Sequence, residues 1–148
     1  MATFTKFYQF ACDLASGLHA LGSDSLNVML TNTAPAQTVI TKGAITEISA
    51  GNGYTAGGAA LTRTFSAINT ATVGNVYQLS LQNTTFTASG AGMATFRYPV
   101  LYNQTKYAAN NTANVLIGFW DYGSSVTLAA GETFTVGFDA ANGVIQLG

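Results

Sequence analysis

The apolar residues of this chain change their period once, at Gly22, and the change decides what the chain can fold into. Before it, Phe4, Phe7, Tyr8, Ala11, Leu14, Ala15, Leu18 and Leu21 recur at i, i+3, i+4 spacing, while Lys6, Gln9, Asp13 and Ser16 take the other face. This predicts one amphipathic helix over about residues 4–21, capped by Thr3 or Thr5 and ended by Gly22 in a left-handed conformation. Its stripe is expected to pack on the chain's own sheet or, alternatively, on a neighbouring subunit. After Gly22 the period is two: Leu26, Val28 and Leu30 alternate with Asn27, Met29 and Thr31, and Tyr77, Leu79 and Leu81 with Gln78, Ser80 and Gln82.

Further strands are expected at 61–66, 94–102, 114–121, 133–138 and 144–147. Alternation places Phe96, Tyr98, Val100 and Tyr102 on one strand face, and Phe134, Val136 and Phe138 on one face of another. The run NVLIGFWD (114–121) is apolar on both faces, so it is expected to be central, with its second face covered by the helix or a partner chain. Asn142-Gly143 predicts a tight hairpin between the last two strands. Turns are expected at 121–123 and 130–131, and longer loops at 51–60, 87–92 and 102–114. No helix recurs between strands, which argues against a parallel α/β fold. The expected fold is mainly β: an antiparallel β-sandwich of jelly-roll type with an N-terminal amphipathic helix, one domain over 1–148 with the sandwich from about residue 24.

Uncharged residues supply the polarity of these strands. Charged residues make up 7% of 148, against roughly a quarter in an ordinary soluble domain, while Thr occurs 21 times and Asn 11 times. A net charge of −1 offers no basic footprint, so no nucleic-acid partner is expected. No apolar run reaches about 18 residues, so no membrane helix is expected. The N-terminal stretch, interrupted by Gln9 and Asp13, is a poor secretory signal, and assembly in a cytoplasm is expected.

The inventory of reactive groups is short. Cys12 is the single cysteine and His19 the single histidine, which excludes an internal disulfide and a zinc cluster. Cys12 is expected to be a small packing residue and His19 a partly buried helix residue. The carboxylates are Asp13, Asp24, Glu47, Asp121, Glu132 and Asp139. Asp121 and Asp139 could meet as a glycosidase pair, but Asp beside a turn is ordinarily a turn-former. Asp139-Ala-Ala-Asn142-Gly143 offers oxygen ligands without the spacing of a calcium loop, and GNGYTAGG (51–58) lacks the phosphate-loop pattern. Glycosylation-type matches at Asn83, Asn103 and Asn110 are what chance supplies in a chain this rich in Asn and Thr. No catalytic, cofactor-binding or metal residue is nominated, no cofactor is expected, and the chain is read as a non-enzyme. Arg63 shares parity with Leu61 and Phe65 and is read either as an interface residue or as a solvated one; Arg97 is expected to point outward.

A β-protein standing alone guards its edges with Lys, Glu or Pro and carries a mixed-charge surface, and this chain has few such residues. The expectation is a homo-oligomer that lies on a larger assembly. The runs VMLTNTAP (28–35), AITEISAGNGYTAGG (44–58) and FWDYGSSVTLAAGETFTVGFD (119–139), preceded by FTKFYQFACDLASGLHALG, resemble a widespread group of small structural proteins of tailed bacteriophages. The resemblance spans nearly the whole chain. It implies a virion component, foremost a capsid cement (decoration) protein: a β-sandwich homodimer or homotrimer on the capsid exterior that clamps the phage major capsid protein. It supplies no active site. Residue type and loop length nominate Phe4, Phe7, Tyr8 and Phe10 at the helix start, Tyr54 in the 51–58 loop, Tyr107 in the 102–114 loop and Arg63 as interface anchors. The alternative is a tail or fibre component that recognises a host glycan through Trp120 and Tyr122, although Trp120 in its apolar strand is expected to pack rather than to carry a sugar.

Overall fold

A computed structural model of the chain describes residues 2–65, 68–70, 74–110 and 113–147. Ser66 of the expected 61–66 strand, residues 111 and 112 of the expected 102–114 loop, and the two terminal residues of the expected domain lie outside them.

The chain opens on a strand rather than a helix. In β1 (Phe4–Lys6), Phe4 lies opposite Trp120 and Lys6 opposite Gly118. Gly118 makes this possible: a Cβ there would stand 2.3 Å from the Phe4 ring. Helix α1 (Tyr8–Ala15) is therefore only the middle of the expected 4–21 helix. It ends at Gly17, not Gly22. Gly17 takes φ 76° and closes a Schellman motif, its N–H donating to Leu14 O (3.1 Å) while Leu18 N–H reaches Asp13 O (2.8 Å). The buried face of α1 is also rotated from the expected stripe: Phe10 and Asp13 turn inward, and Ala11 and Ala15 are exposed.

Strand β2 (Leu26–Thr31) is followed, after a 3-10 turn at Lys42–Ala44, by β3 (Ala59–Leu61), β4 (Arg63–Phe65), β5 (Ile68–Thr70) and β6 (Gly74–Leu81). Then come β7 (Thr84–Thr87), β8 (Met93–Phe96) and β9 (Tyr98–Asn103). Helix α2 (Gln104–Ala109) occupies the expected 102–114 loop, because Asn103 caps it by accepting Lys106 N–H on Oδ1 at 3.1 Å. β10 (Leu116–Trp120), β11 (Val126–Leu128), β12 (Thr133–Val136) and β13 (Ile145–Leu147) complete the order.

These pairings are antiparallel, and the fold is mainly β. The largest sheet runs β1-β10-β9-β2-β3. β6 pairs with β13 on one side and with β4 and β5 on the other. β7 with β12 and β8 with β11 are two halves of one ribbon: Thr84 faces Val136, Thr87 faces Thr133, and beyond a break Met93 faces Leu128 and Phe96 faces Val126. At the break, Ala88 N–H donates to Glu132 O (2.9 Å) and Gly131 N–H to Ala88 O (2.8 Å).

Two stretches change partners midway. Residues 59–65 pair with β2 up to Leu61 and with β6 from Arg63; residues 93–103 leave β11 after Phe96 and join β2 and β10 from Tyr98. The expected 61–66 and 94–102 strands are thus each split, at Thr62 and Arg97. The split separates side chains that alternation had placed on one face: Phe96 belongs to one core, Tyr98, Val100 and Tyr102 to another. Asn142-Gly143 likewise closes no hairpin between the last two strands, since β12 pairs with β7 and β13 with β6. The turn there is built by Asp139, whose Oδ1 accepts Ala141 N–H and Asn142 N–H (2.8 and 3.0 Å) and whose carbonyl accepts Gly143 N–H (2.9 Å). The local signal identified the turn and not the partner.

One face of the five-stranded sheet sends Leu26, Val28, Leu30, Leu101 and Ile117 into a core shared with the ribbon and the β6 ladder, from which Leu79, Phe86, Phe96, Val136 and Ile145 point back. The opposite face carries Met29, Val100, Tyr102, Leu116 and Phe119 beneath Phe7 and Ile45, with Val39 and Tyr107 partly buried around them. The 114–121 run is apolar on both faces for this reason, and the cover on its second face comes from this chain. Burying Phe7 contributes about 2–3 kcal/mol, which helps hold the short link between β1 and α1 in place.

Candidate functional site

Phe7, Phe10 and Tyr54, nominated as interface anchors, lie inside the chain. Phe7 is 1% exposed and packs on Phe119 with ring centroids 5.3 Å apart; Phe10 is 2% exposed beside the His19 ring at 5.4 Å. Tyr54, 3% exposed, is the centre of a buried pin. Its hydroxyl donates to Glu47 Oε1 (2.6 Å) and accepts Leu30 N–H (3.1 Å), tying the 51–58 loop to β2. Glu47 Oε1 also accepts Gly57 N–H at 2.5 Å, and Oε2 accepts Lys42 Nζ at 2.9 Å. Burial first, then the hydrogen bond to Glu47, raises the Tyr54 hydroxyl far above the ordinary tyrosine range. Tyr102 is raised by burial and then by the negative charge of Glu47. The loop's glycines press on backbone: a Cβ on Gly53 would stand 1.9 Å from Thr87 O, and one on Gly58 1.9 Å from Val28 O. The signal for all this was Glu47, a lone carboxylate in a neutral segment.

Arg63 is engaged within the chain, its guanidinium donating to the carbonyls of Asp24 and Ser23, the latter at 3.2 Å. It holds the turn before β2 to β4, a role that the parity argument did not foresee. Tyr107 is half-buried, edge-on to Tyr102 at 6.1 Å, with Lys42 Nζ 5.0 Å from its ring. Phe4 is half-buried against Trp120 at 4.7 Å. Tyr8 alone among the nominated residues is exposed, at 65%.

A second polar knot joins the end of β9 to the segment after α1. Asn103 Nδ2 donates to Asp24 Oδ2 (2.7 Å) and to His19 Nδ1 (3.1 Å). Asp24 can only accept and Lys106 N–H can only donate, so the Asn103 amide has one orientation, and His19 Nδ1 must be an acceptor. The proton of the neutral ring then sits on Nε2, which is buried with no partner among the described residues. His19 is 4% exposed. Burial lowers its pKa below 6.5, with Asp13 and Asp24 opposing and Lys106 adding to the shift.

The remaining titratable groups serve turns and surfaces. Asp121 takes Arg97 in a two-point pair (Nε to Oδ1 2.7 Å, Nη2 to Oδ2 2.8 Å) and accepts Gly123 N–H at 2.8 Å. Arg97 first, then Gly123, holds this carboxyl below its usual range; Asn142 does the same for Asp139. A glycosidase-type proton donor needs the opposite shift. The oxygens of Asp139 that suggested a calcium loop accept the turn's own N–H groups and Asn142 Nδ2 (2.7 Å). Among the described residues no group of three His, Cys, Asp or Glu could hold a metal. Cys12 is exposed rather than packed. No helix among them is long and apolar enough to cross a membrane.

A concavity lies elsewhere, a cleft of about 600 Å³ where the ends of β10 and β12 meet the 139–143 turn. Its walls are Phe4, Trp120, Tyr122, Phe134 and Phe138. Trp120 lies between Phe4 and Phe138, the latter edge-on at 5.6 Å, and Tyr122 leans edge-on to Phe134 at 5.3 Å. Asn83 and Asp139 supply polar groups to the same lining. Trp120 therefore packs, as its strand suggested, and lines an open site as well. No sequence pattern joins these residues, because the aromatic walls come from three separate segments brought together by the fold and Asn83 from a fourth.

No family model, no curated protein and no solved structure matches the chain.

Proposed function

We propose that the chain is a structural protein of a tailed-bacteriophage particle, a capsid cement protein. It would be an antiparallel β-sandwich of jelly-roll type that binds, as a homodimer or homotrimer, to the outside of the assembled major capsid shell. The observation that carries this reading is how the charges are used. All six carboxylates accept hydrogen bonds within the chain: Asp13 from Gln9, Asp24 from Asn103, Glu47 from Tyr54, Asp121 from Arg97, Glu132 from Ala129 N–H and Asp139 from Asn142. Four of the five cationic side chains are engaged by hydrogen bonds or an ion pair, Lys42 by Glu47, Arg97 by Asp121, Arg63 by backbone carbonyls and Lys106 by Asp24 at 3.7 Å. Exposed positions on the ribbon are neutral, with Thr85 bonded to Thr135 (2.7 Å) and Thr95 to Thr127 (2.8 Å). Such a surface meets another subunit without stripping water from ions.

Binding that is available only on the assembled shell stabilises that shell by linkage, and many modest contacts act together. Tyr8 is assigned as a contact, beside the shallow groove lined by Phe4, Lys6 and Gln37. Shells lacking the protein, mixed with the purified chain and imaged by cryo-electron microscopy, are expected to gain ordered density at two-fold or three-fold positions. Tyr8→Glu is expected to weaken that binding by about tenfold with an unchanged melt. Bare shells and a solvated monomer, with label on the tails of intact particles, would overturn the reading in favour of a tail or fibre component.

A further inference from the structure

We propose that the aromatic cleft at the ends of β10 and β12 binds a neutral sugar ring, wherever in a particle the chain resides. Its volume, about 600 Å³, falls in the range of small-molecule sites. Its rings are fixed in advance: Phe4 and Phe138 hold Trp120, Phe134 holds Tyr122, and Tyr122 is nevertheless 53% exposed and offers its surface to an incoming group. The polar members are fixed too. Asn83 Oδ1 accepts Phe138 N–H at 2.8 Å, which orients the amide, and the Asp139 carboxylate is held by the N–H groups of its own turn.

The chemistry of the lining selects among ligands. Among the described residues no Lys, Arg or His lines the cleft, and Asp139 does, so phosphates, nucleotides and acidic sugars are disfavoured. An aliphatic peptide segment would cover Asn83 and Asp139 while returning no hydrogen bonds from its side chains. A neutral sugar meets both demands, with a C–H face for the rings and hydroxyls for the polar groups.

Trp120 is the single tryptophan, so its fluorescence reports on the cleft alone. The full chain is titrated with glucose, galactose, mannose, N-acetylglucosamine and their disaccharides, each to tens of millimolar, and with sialyllactose and a leucine-rich peptide for comparison. A saturable change is expected for at least one neutral sugar and for neither comparison ligand. Tyr122→Ala, at an exposed position, is expected to weaken the sugar by about tenfold while keeping the parent melt and the parent shell binding. The proposal is overturned if no neutral sugar perturbs Trp120, if the response survives Tyr122→Ala undiminished, or if the peptide binds in place of the sugars.

Discussion

The 51–58 loop and the 120–122 strand end carry the same kinds of residue, aromatic side chains beside glycine turns, and the fold uses them in opposite ways. Tyr54 points inward, its hydroxyl between Glu47 and Leu30 N–H, and its loop is pressed against the backbone of β2 and β7. Tyr122 stands half in solvent at the mouth of a cleft. The difference teaches that residue type and loop length do not decide whether an aromatic ring is an anchor for others. A partner within the chain for its hydroxyl separates these two, and Glu47 was the visible sign of one.

Substitutions along the two regions should separate them. The largest effect is expected for Gly58→Ala, where φ is +73° and the new Cβ would collide with Val28 O: a loss on the order of 4 kcal/mol, read by chemical denaturation. Gly123→Ala beside the cleft has φ +97° but open space around it, so about 1 kcal/mol is expected. Equal losses at the two sites would erase the contrast. Next, Glu47→Ala strands Tyr54 OH, Gly57 N–H and Lys42 together and is expected to cost about 3 kcal/mol; a loss under 1 kcal/mol would show that the pin does not hold the loop.

A smaller effect tests the second closed knot. Burial keeps the folded pKa of His19 below 6.5, so the unfolded chain takes up the proton first as the pH falls. Stability attributable to His19 should therefore decline below about pH 6.5, by at most about 1.4 kcal/mol per pH unit, until the folded pKa is passed. His19→Asn, compared with the parent by denaturation from about pH 7.5 to 5.5, should lose that part of the slope. A parent slope that the variant reproduces would remove His19 as its source. The smallest effect belongs to the open region: Tyr122→Ala should change stability by no more than about 0.5 kcal/mol.

How much of this was legible depended on the range of the interaction. Period-two alternation located the strands at 26–30 and 77–81 and the first four residues of the expected 133–138 strand, because the signal needs only a sheet with an inside. Partners were another matter. The Asn142-Gly143 turn and the continuous runs at 61–66 and 94–102 look like simple hairpin and strand elements, yet the chain changes sheets at each, and local spacing carries no record of that. The N-terminus misled for a related reason: Phe4 fits the apolar stripe of a helix and Lys6 its polar face, but Gly118, far along the chain, leaves room for the Phe4 ring and so favours the strand. Among the candidate anchors nothing local set the exposed Tyr8 apart from the buried Phe7 and Phe10, and the alternative reading named Trp120 and Tyr122 without the Phe4, Phe134 and Phe138 that the fold brings beside them.

The two stretches that change sheets, 59–65 and 93–103, have a mechanical consequence. Each belongs to the five-stranded sheet at one end and to the layer facing it at the other, so the layers are stitched by covalent chain at Thr62 and Arg97. A pull that slides one layer over the other draws on rows of ladder hydrogen bonds loaded side by side, in shear, instead of peeling them one at a time. The chain should resist tension along its strands far better than tension across them, a directional toughness that single-molecule pulling from different attachment points would measure.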